Sequence, residues 1–328
     1  MGTRIMDLIG GSMARESSSY IQYANRQIDS RIAAYKASTI TTTSPTPPPP
    51  PPSTDAKPIR KDFTDYLLRA RDPVTLLGLT TAELHADSAL LISAGSDTTS
   101  ITISASLFYL LHNPGTLATL TREIRSTFSS LDAICSGPAL SGCIYLRACI
   151  DETLRLAPPV PSHLPREVLP GGIHVDGQFL PAGTVVGTAP WAIHHNATYF
   201  PDAFAFRPER WIPTDHHGDD DDDDGLSTAR AAFCAFSLGP RGCIGKGVAY
   251  LEVALALAHL LWLYDICLGE GGPSGGGVRA GEITPDGWKG KNKKLMPERR
   301  REDEYQLFDH FTADRDGPMV RFRGRMTE

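Results

Sequence analysis

The stretch Phe236-Ser237-Leu238-Gly239-Pro240-Arg241-Gly242-Cys243-Ile244-Gly245, directly before an apolar run that opens at Lys246, decides how the rest of the chain is read. It places a thiol where a helix begins. Unpaired amides and the positive end of the helix dipole favour a thiolate there, and Gly239 and Gly245 let a flat ligand approach the backbone with no Cβ in the way. Arg241 is suited to meet an acidic group on that ligand. Taken alone, Cys243 is better explained as an inert buried thiol in a glycine turn. Its surroundings must decide between the two.

Working outward, the apolar run predicts a helix over Lys246 to Tyr264. Its most apolar part, Val248 to Leu263, is interrupted by Glu252 and His259 and falls short of the ~20 residues that span a bilayer, which makes it a core helix. Upstream, from Pro190 to Phe236, no period is visible. Before that stretch, Ile173 and Val175, an Asp176-Gly177 turn and Phe179-Leu180 predict a short hairpin, with a strand at Thr184 to Thr188. Leu146, Ile150 and Leu154 recur at helical spacing, as do Leu117, Leu120, Ile124 and Phe128 after Pro114. Thr80 and Glu83 form a capping box, and no proline follows until Pro114, so one helix of about 30 residues is expected from Thr81 to His112. At the front, Ile21, Ala24, Ile28, Ile32 and Tyr35 mark an amphipathic helix.

These elements make a mainly α chain with a small antiparallel β component, divided into an N-terminal amphipathic helix region (1–37), a Pro/Ser/Thr-rich linker (38–58) and a large unit (59–328). The run Pro47 to Pro52 lacks amide donors and favours extended geometry, as a spacer does. With 41% hydrophobic and 21% charged residues, the 328-residue chain has the composition of a globular protein and not of a disordered one. Asp219 to Asp224 carry the whole net charge of -6, leaving 32 basic residues facing 32 acidic ones. No global field therefore points to nucleic acid or an anionic membrane. A basic patch at Lys289, Lys291, Lys293, Lys294 and Arg299 to Arg301 reads better as a solvated loop than as a nucleic-acid site, and His216 and His217 beside the aspartates as an acidic loop rather than a cation site. The six cysteines form no CxxC pair and no apolar signal precedes them, so reduced thiols are expected.

The Phe236 to Gly245 pattern resembles the cysteine-ligand loop of the cytochrome P-450 family, the heme-thiolate monooxygenases; a chance match in a chain of this length has odds of roughly one in ten thousand. Three weaker patterns stand upstream in the family's order. Glu152-Thr-Leu-Arg155 resembles its Glu-x-x-Arg pair, in which spacing by three puts both side chains on one helix face. Glu298 and Arg301 have the same spacing in a charged tail, where a solvated ion pair is the better reading. Phe206-Arg-Pro208-Glu209-Arg210-Trp211 resembles the Pro-Glu-Arg segment, which implies a structural triad of Glu152, Arg155 and Arg210 beneath the heme. Ala94-Gly95-Ser96-Asp97-Thr98-Thr99 resembles the oxygen-activation site, where hydroxyls bonding to backbone carbonyls open the helix into a widened turn.

The resemblance implies a truncated cytochrome P-450 fold with heme b, its iron held by Cys243 and its surroundings supplied by Phe236, Gly239, Arg241, Gly245 and Arg166, the two arginines clamping propionates. It implies that the thiolate favours O–O cleavage, that Asp97 and Thr98 relay protons, and that NADPH supplies electrons through a flavoprotein reductase. The product would be a hydroxylated lipophilic small molecule, as in secondary metabolism; the Glu304 to Thr312 tail and Asp316-Gly317-Pro318 resemble filamentous-fungal members. The match covers the later part of the family's domain. The front with its endoplasmic-reticulum anchor is therefore expected to be absent, as is its propionate-binding Trp-x-x-x-Arg helix, since none of the four tryptophans has Arg four residues later; a cytoplasmic or unassigned location follows. Two other readings stay open: a catalytically inactive truncated fragment, and a reductase-independent isomerase or peroxygenase, against which the Asp97-Thr98 pair argues.

Overall fold

The computed structural model describes residues 11–40, 62–213, 224–268, 304–308, 311–315 and 317–325. The chain forms two compact units, residues 1–96 and 97–328, and the division falls inside the long helix. The basic patch at 289–301, His216 and His217 with most of the aspartate run, and the Glu298/Arg301 spacing lie outside the described residues, as does the expected 38–58 linker except for residues 38–40, which are helical and not linker.

In the first unit, helix α1 (Gly11–Ile40) runs beyond the expected amphipathic segment at both ends. Its apolar face buries Ala24, Ile28 and Ile32; the last two pack with Leu84 and with Leu67, Leu68 and Leu79. Asp62 caps the short helix α2 (Phe63–Arg69) and pairs with Arg31 at 2.8 Å. Helix α3 (Thr81–His112) has the bounds read from its capping box. The box is reciprocal: the Thr80 amide donates to Glu83 at 2.7 Å, and the Glu83 amide to the Thr80 hydroxyl at 3.3 Å.

In the second unit, α4 (Pro114–Thr127), α5 (Pro138–Ser141) and α6 (Ile144–Leu156) follow. Pro114 at the first helical position explains the start of α4, because the amide it lacks would have had no partner there. Glu123 on α4 spans the first turn of α6, its carboxylate accepting from the amides of Tyr145 at 2.9 Å and Leu146 at 2.8 Å. Strand β1 (Arg166–Glu167) pairs antiparallel with β4 (Val185–Val186), and β2 (Ile173–Val175) with β3 (Gln178–Leu180). The expected Asp176-Gly177 turn joins the hairpin, both residues at positive φ, 49° and 75°. The expected strand at Thr184 to Thr188 is thus shorter, and its partner lies before the hairpin.

The interval without visible period is not wholly irregular. It holds α7 (Pro190–His194), a 3₁₀ turn at Pro208–Trp211 and α8 (Asp224–Ala232). These pieces are too short to display a repeat, and long-range hydrogen bonds stabilise them instead of an apolar stripe. Helix α9 (Lys246–Leu263) runs into β5 (Tyr264–Leu268), which pairs antiparallel with β8 (Val320–Gly324); β6 (Leu307–Phe308) pairs with β7 (Asp314–Arg315).

The main core gathers Leu107, Leu110 and Leu111 of α3, Leu120 and Ile124 of α4, Leu146, Ile150 and Leu154 of α6, and Val253, Leu257 and Leu261 of α9. Among the described residues α9 alone is long and apolar enough, by length and composition, to cross a bilayer, where the sequence reading set it just short of a span; Val253, Leu257, Ala258 and Leu261 pack one face of it into the core. Arg125 of α4 closes its far end, donating to the carbonyls of Leu261 and Tyr264, both at 3.0 Å, and pairing with Asp265 at 2.7 Å.

Candidate functional site

Between α8 and α9 the backbone folds back on itself and carries Cys243 two residues before the Gly245 N-cap. The Ser237 amide donates to Cys234 O at 2.9 Å, Gly242 to Gly239 O at 2.9 Å, and Cys243 to Phe236 O at 2.8 Å. Ser237 and Gly239 take φ of 57° and 71°, which glycine alone adopts without strain. Phe236 anchors the loop by packing on Tyr250 of α9, ring centroids 5.1 Å apart. What the loop shows to solvent is Cys243 with Arg241, Leu238 and Ile244, the last 96% exposed.

Exposure and environment separate Cys243 from the other cysteines. Burial pushes the thiols of Cys143, Cys149 and Cys234 up, away from the ionised form. Cys135 and Cys267 are exposed but lie in a turn and on β5, and neither has the Phe236 to Gly245 pattern around it. Cys243 is exposed, so the expectation of a buried thiol in a glycine turn is corrected.

The loop fits the heme implied by its pattern. A thiol suits iron, Leu238 and Ile244 offer an apolar face, and the exposed Arg241 suits a carboxylate. At Gly239 nothing lies within 4 Å of where a Cβ would stand, while at Gly242 a Cβ would come to 3.1 Å from Gly239 O. Arg166 is also exposed, on β1, its guanidinium donating to Pro165 O at 2.9 Å.

Behind the loop lies the charged network. Arg155 and Glu152 are wholly buried and doubly bonded, Nε to Oε2 and Nη2 to Oε1, each at 2.9 Å. Arg210 Nε reaches Glu152 Oε1 at 3.0 Å, so the three residues expected to form a triad do meet. Two further donors complete the carboxylate: the Arg207 amide at 3.0 Å and the Trp211 indole at 2.9 Å. Arg155 spends its remaining donors on the carbonyls of His194 at 2.8 Å, Ala203 at 2.6 Å and Ala205 at 3.2 Å. It thereby pins the segment between α7 and the 3₁₀ turn. Buried charges persist only when their hydrogen bonds are met in this way.

Asp97 and Thr98 are half-buried in α3. The hydroxyls of Ser100 and Thr102 donate back to their carbonyls, both at 2.9 Å. The helix nevertheless stays α-helical throughout Gly95 to Thr99, so the widened turn expected there is not present. Hydroxyl back-bonding shares the carbonyl with the helical amide and does not by itself displace it.

Two residues of this region had no role in the sequence reading. Trp211 stands beside Arg210 and could have been found from the same segment. His194 had no local signal, since its partners lie about 40 residues away on either side.

The cytochrome P450 family model matches residues 3–273. A cytochrome P450 monooxygenase of Gibberella zeae is 42% identical over 83% of this chain and 58% of its own length. The monooxygenase apf8 of Gibberella fujikuroi is 40% identical over 79% and 65%, and AKT7 of Alternaria alternata 42% over 80% and 48%. The chain thus spans about half to two thirds of the length of these relatives. A crystal structure of a cytochrome P450 shares the fold with a TM-score of 0.64 at 21% identity, over 95% of this chain and 57% of that one. With the family pattern matched across most of its length and relatives at 40–42% identity, this chain belongs to the cytochrome P450 family.

Proposed function

We propose that the chain serves a heme-thiolate monooxygenase that hydroxylates a lipophilic small molecule, with Cys243 as the sole protein ligand to iron. The observation that carries this reading is the exposed thiol of Cys243, held by its own amide on Phe236 O just before α9. Heme bound there supplies oxygen activation that no side chain can perform. Arg241 and Arg166 would hold its carboxylates, Leu238 and Ile244 would offer it apolar contact, and Gly239 would let the backbone come close. The Thr98 hydroxyl and Asp97 carboxyl would hold and pass protons. A flavoprotein reductase fed by NADPH is the proposed electron source, because heme cannot accept hydride.

The test is the spectrum of the reduced, carbon-monoxide-bound protein. The parent should show the thiolate-ligated form, Cys243→Ser should lose it, and replacing each of the other five cysteines should not. A thiolate spectrum that survives in Cys243→Ser refutes the assignment.

A further inference from the structure

His194, at the end of α7, is buried, and both of its ring nitrogens are bonded to backbone. Nδ1 stands 3.1 Å from Arg155 O, and a carbonyl can only accept, so Nδ1 carries the proton. Nε2 lies 3.0 Å from the Cys234 amide, which can only donate, so Nε2 is bare. The neutral tautomer is therefore fixed from both sides. Phe233 stacks on the ring at 5.3 Å and 9°, and Arg155 Nη1 holds the residue's carbonyl at 2.8 Å. Burial first, then the Arg155 charge, push the imidazole pKa down to about 3.

The position of Cys234 gives this bridge its meaning. Cys234 O accepts the Ser237 amide at 2.9 Å, where the loop turns through positive φ, and Phe236 O accepts the Cys243 amide at 2.8 Å. A chain of hydrogen bonds and short covalent steps thus runs from the Arg155 backbone through the imidazole to the loop that presents the thiol.

We propose that His194 is a positioning residue for Cys243, a neutral strut that ties the thiolate loop to the buried Glu152–Arg155–Arg210 network. The role of the loop as an iron ligand rests on the function proposed above. The strut itself does not.

Two variants separate its halves. In His194→Gln the amide oxygen falls near the place of Nε2 and keeps the Cys234 amide; in His194→Asn the amide nitrogen falls near Nδ1 and keeps Arg155 O alone. Hydrogen exchange on the heme-free chain should show the Cys234, Ser237 and Cys243 amides about tenfold faster in His194→Asn than in the parent, as the loss of one hydrogen bond implies. They should stay near parent rates in His194→Gln, with α6 protected in both. Equal exchange in the two variants, or no change in either, overturns the proposal. After heme loading, His194→Asn should show a larger share of the thiol-ligated spectrum than His194→Gln. If the parent has no thiolate spectrum while the exchange pattern appears, the heme reading falls and the strut stands.

Discussion

Trp211 donates its indole Nε1–H to Glu152 Oε2 at 2.9 Å, across 59 residues of sequence. The bond fills the last described position on a carboxylate already held by Arg155, Arg210 and the Arg207 amide. Trp211→Phe preserves the ring contacts with Phe200 and Phe233 but leaves that lone pair unmet inside the protein. Urea unfolding should show a loss of about 2 kcal/mol, the range for a hydrogen bond to a charged group. An unchanged midpoint would show that the indole bond is dispensable.

Glu152→Gln is the severer change. It keeps the shape, removes the charge and turns an amide hydrogen toward donors that need an acceptor. Breaking a buried pair on one side costs about 3–5 kcal/mol, so the variant should misfold or melt well below the parent by circular dichroism. A parent-like melting curve would contradict the network's structural role.

Glu123→Ala removes the side chain that spans the first turn of α6. Two amides lose their partner and the positive helix end its counter-charge. The expected loss is about 1–2 kcal/mol in chemical unfolding, with Glu123→Gln intermediate because it accepts one bond but carries no charge. Identical effects of the two variants would mean that charge plays no part.

His194 predicts the response to acid. Its folded pKa of about 3 lies below the ordinary value of about 6.5, so below pH ~6.5 the unfolded chain takes up a proton that the folded chain refuses. Stability from this group is full above that pH. It falls as pH drops toward 3, by at most ~1.4 kcal/mol per unit. His194→Gln, which has no proton to gain, should show a shallower decline of unfolding free energy over this interval than the parent.

Thr98→Ala addresses the proposed proton path. The heme spectrum should be retained, because Cys243 is untouched, while NADPH consumption in the presence of a reductase should be diverted from product to hydrogen peroxide. Equal coupling in variant and parent would remove Thr98 from the mechanism.

The parts of this fold that were legible in advance are those whose cause lies within a few residues. Thr80 and Glu83 mark the start of α3 because their side chains and amides satisfy one another locally, and Asp176-Gly177 marks the hairpin because two positive φ values need such residues. The triad was legible through resemblance to a pattern, since nothing local in Arg210 says that it will meet Glu152. What remained hidden depends on partners far along the chain. Strand β5 exists because Val320 to Gly324 returns beside it, and α8 and α7 are too short for a period to emerge. His194 ends α7 and stands next to a second histidine, and what distinguishes it from the half-buried His195 is its full burial and its long-range backbone partners. The widened turn failed for the opposite reason: a local cause was present, but back-bonding hydroxyls were not enough to unseat the α-helical ladder.

Arg125 gives α9 a fixed origin of length. Eighteen residues rising ~1.5 Å each make a rod of about 27 Å, with the thiol's loop at one end and the guanidinium clamp on Leu261, Tyr264 and Asp265 at the other. A rod held at its tail resists sliding along its own axis. Any axial displacement of the loop must therefore be transmitted to the clamp or absorbed in the glycines between residues 239 and 245, so the thiol's coordinate along α9 is gauged from a residue at the opposite end of the helix.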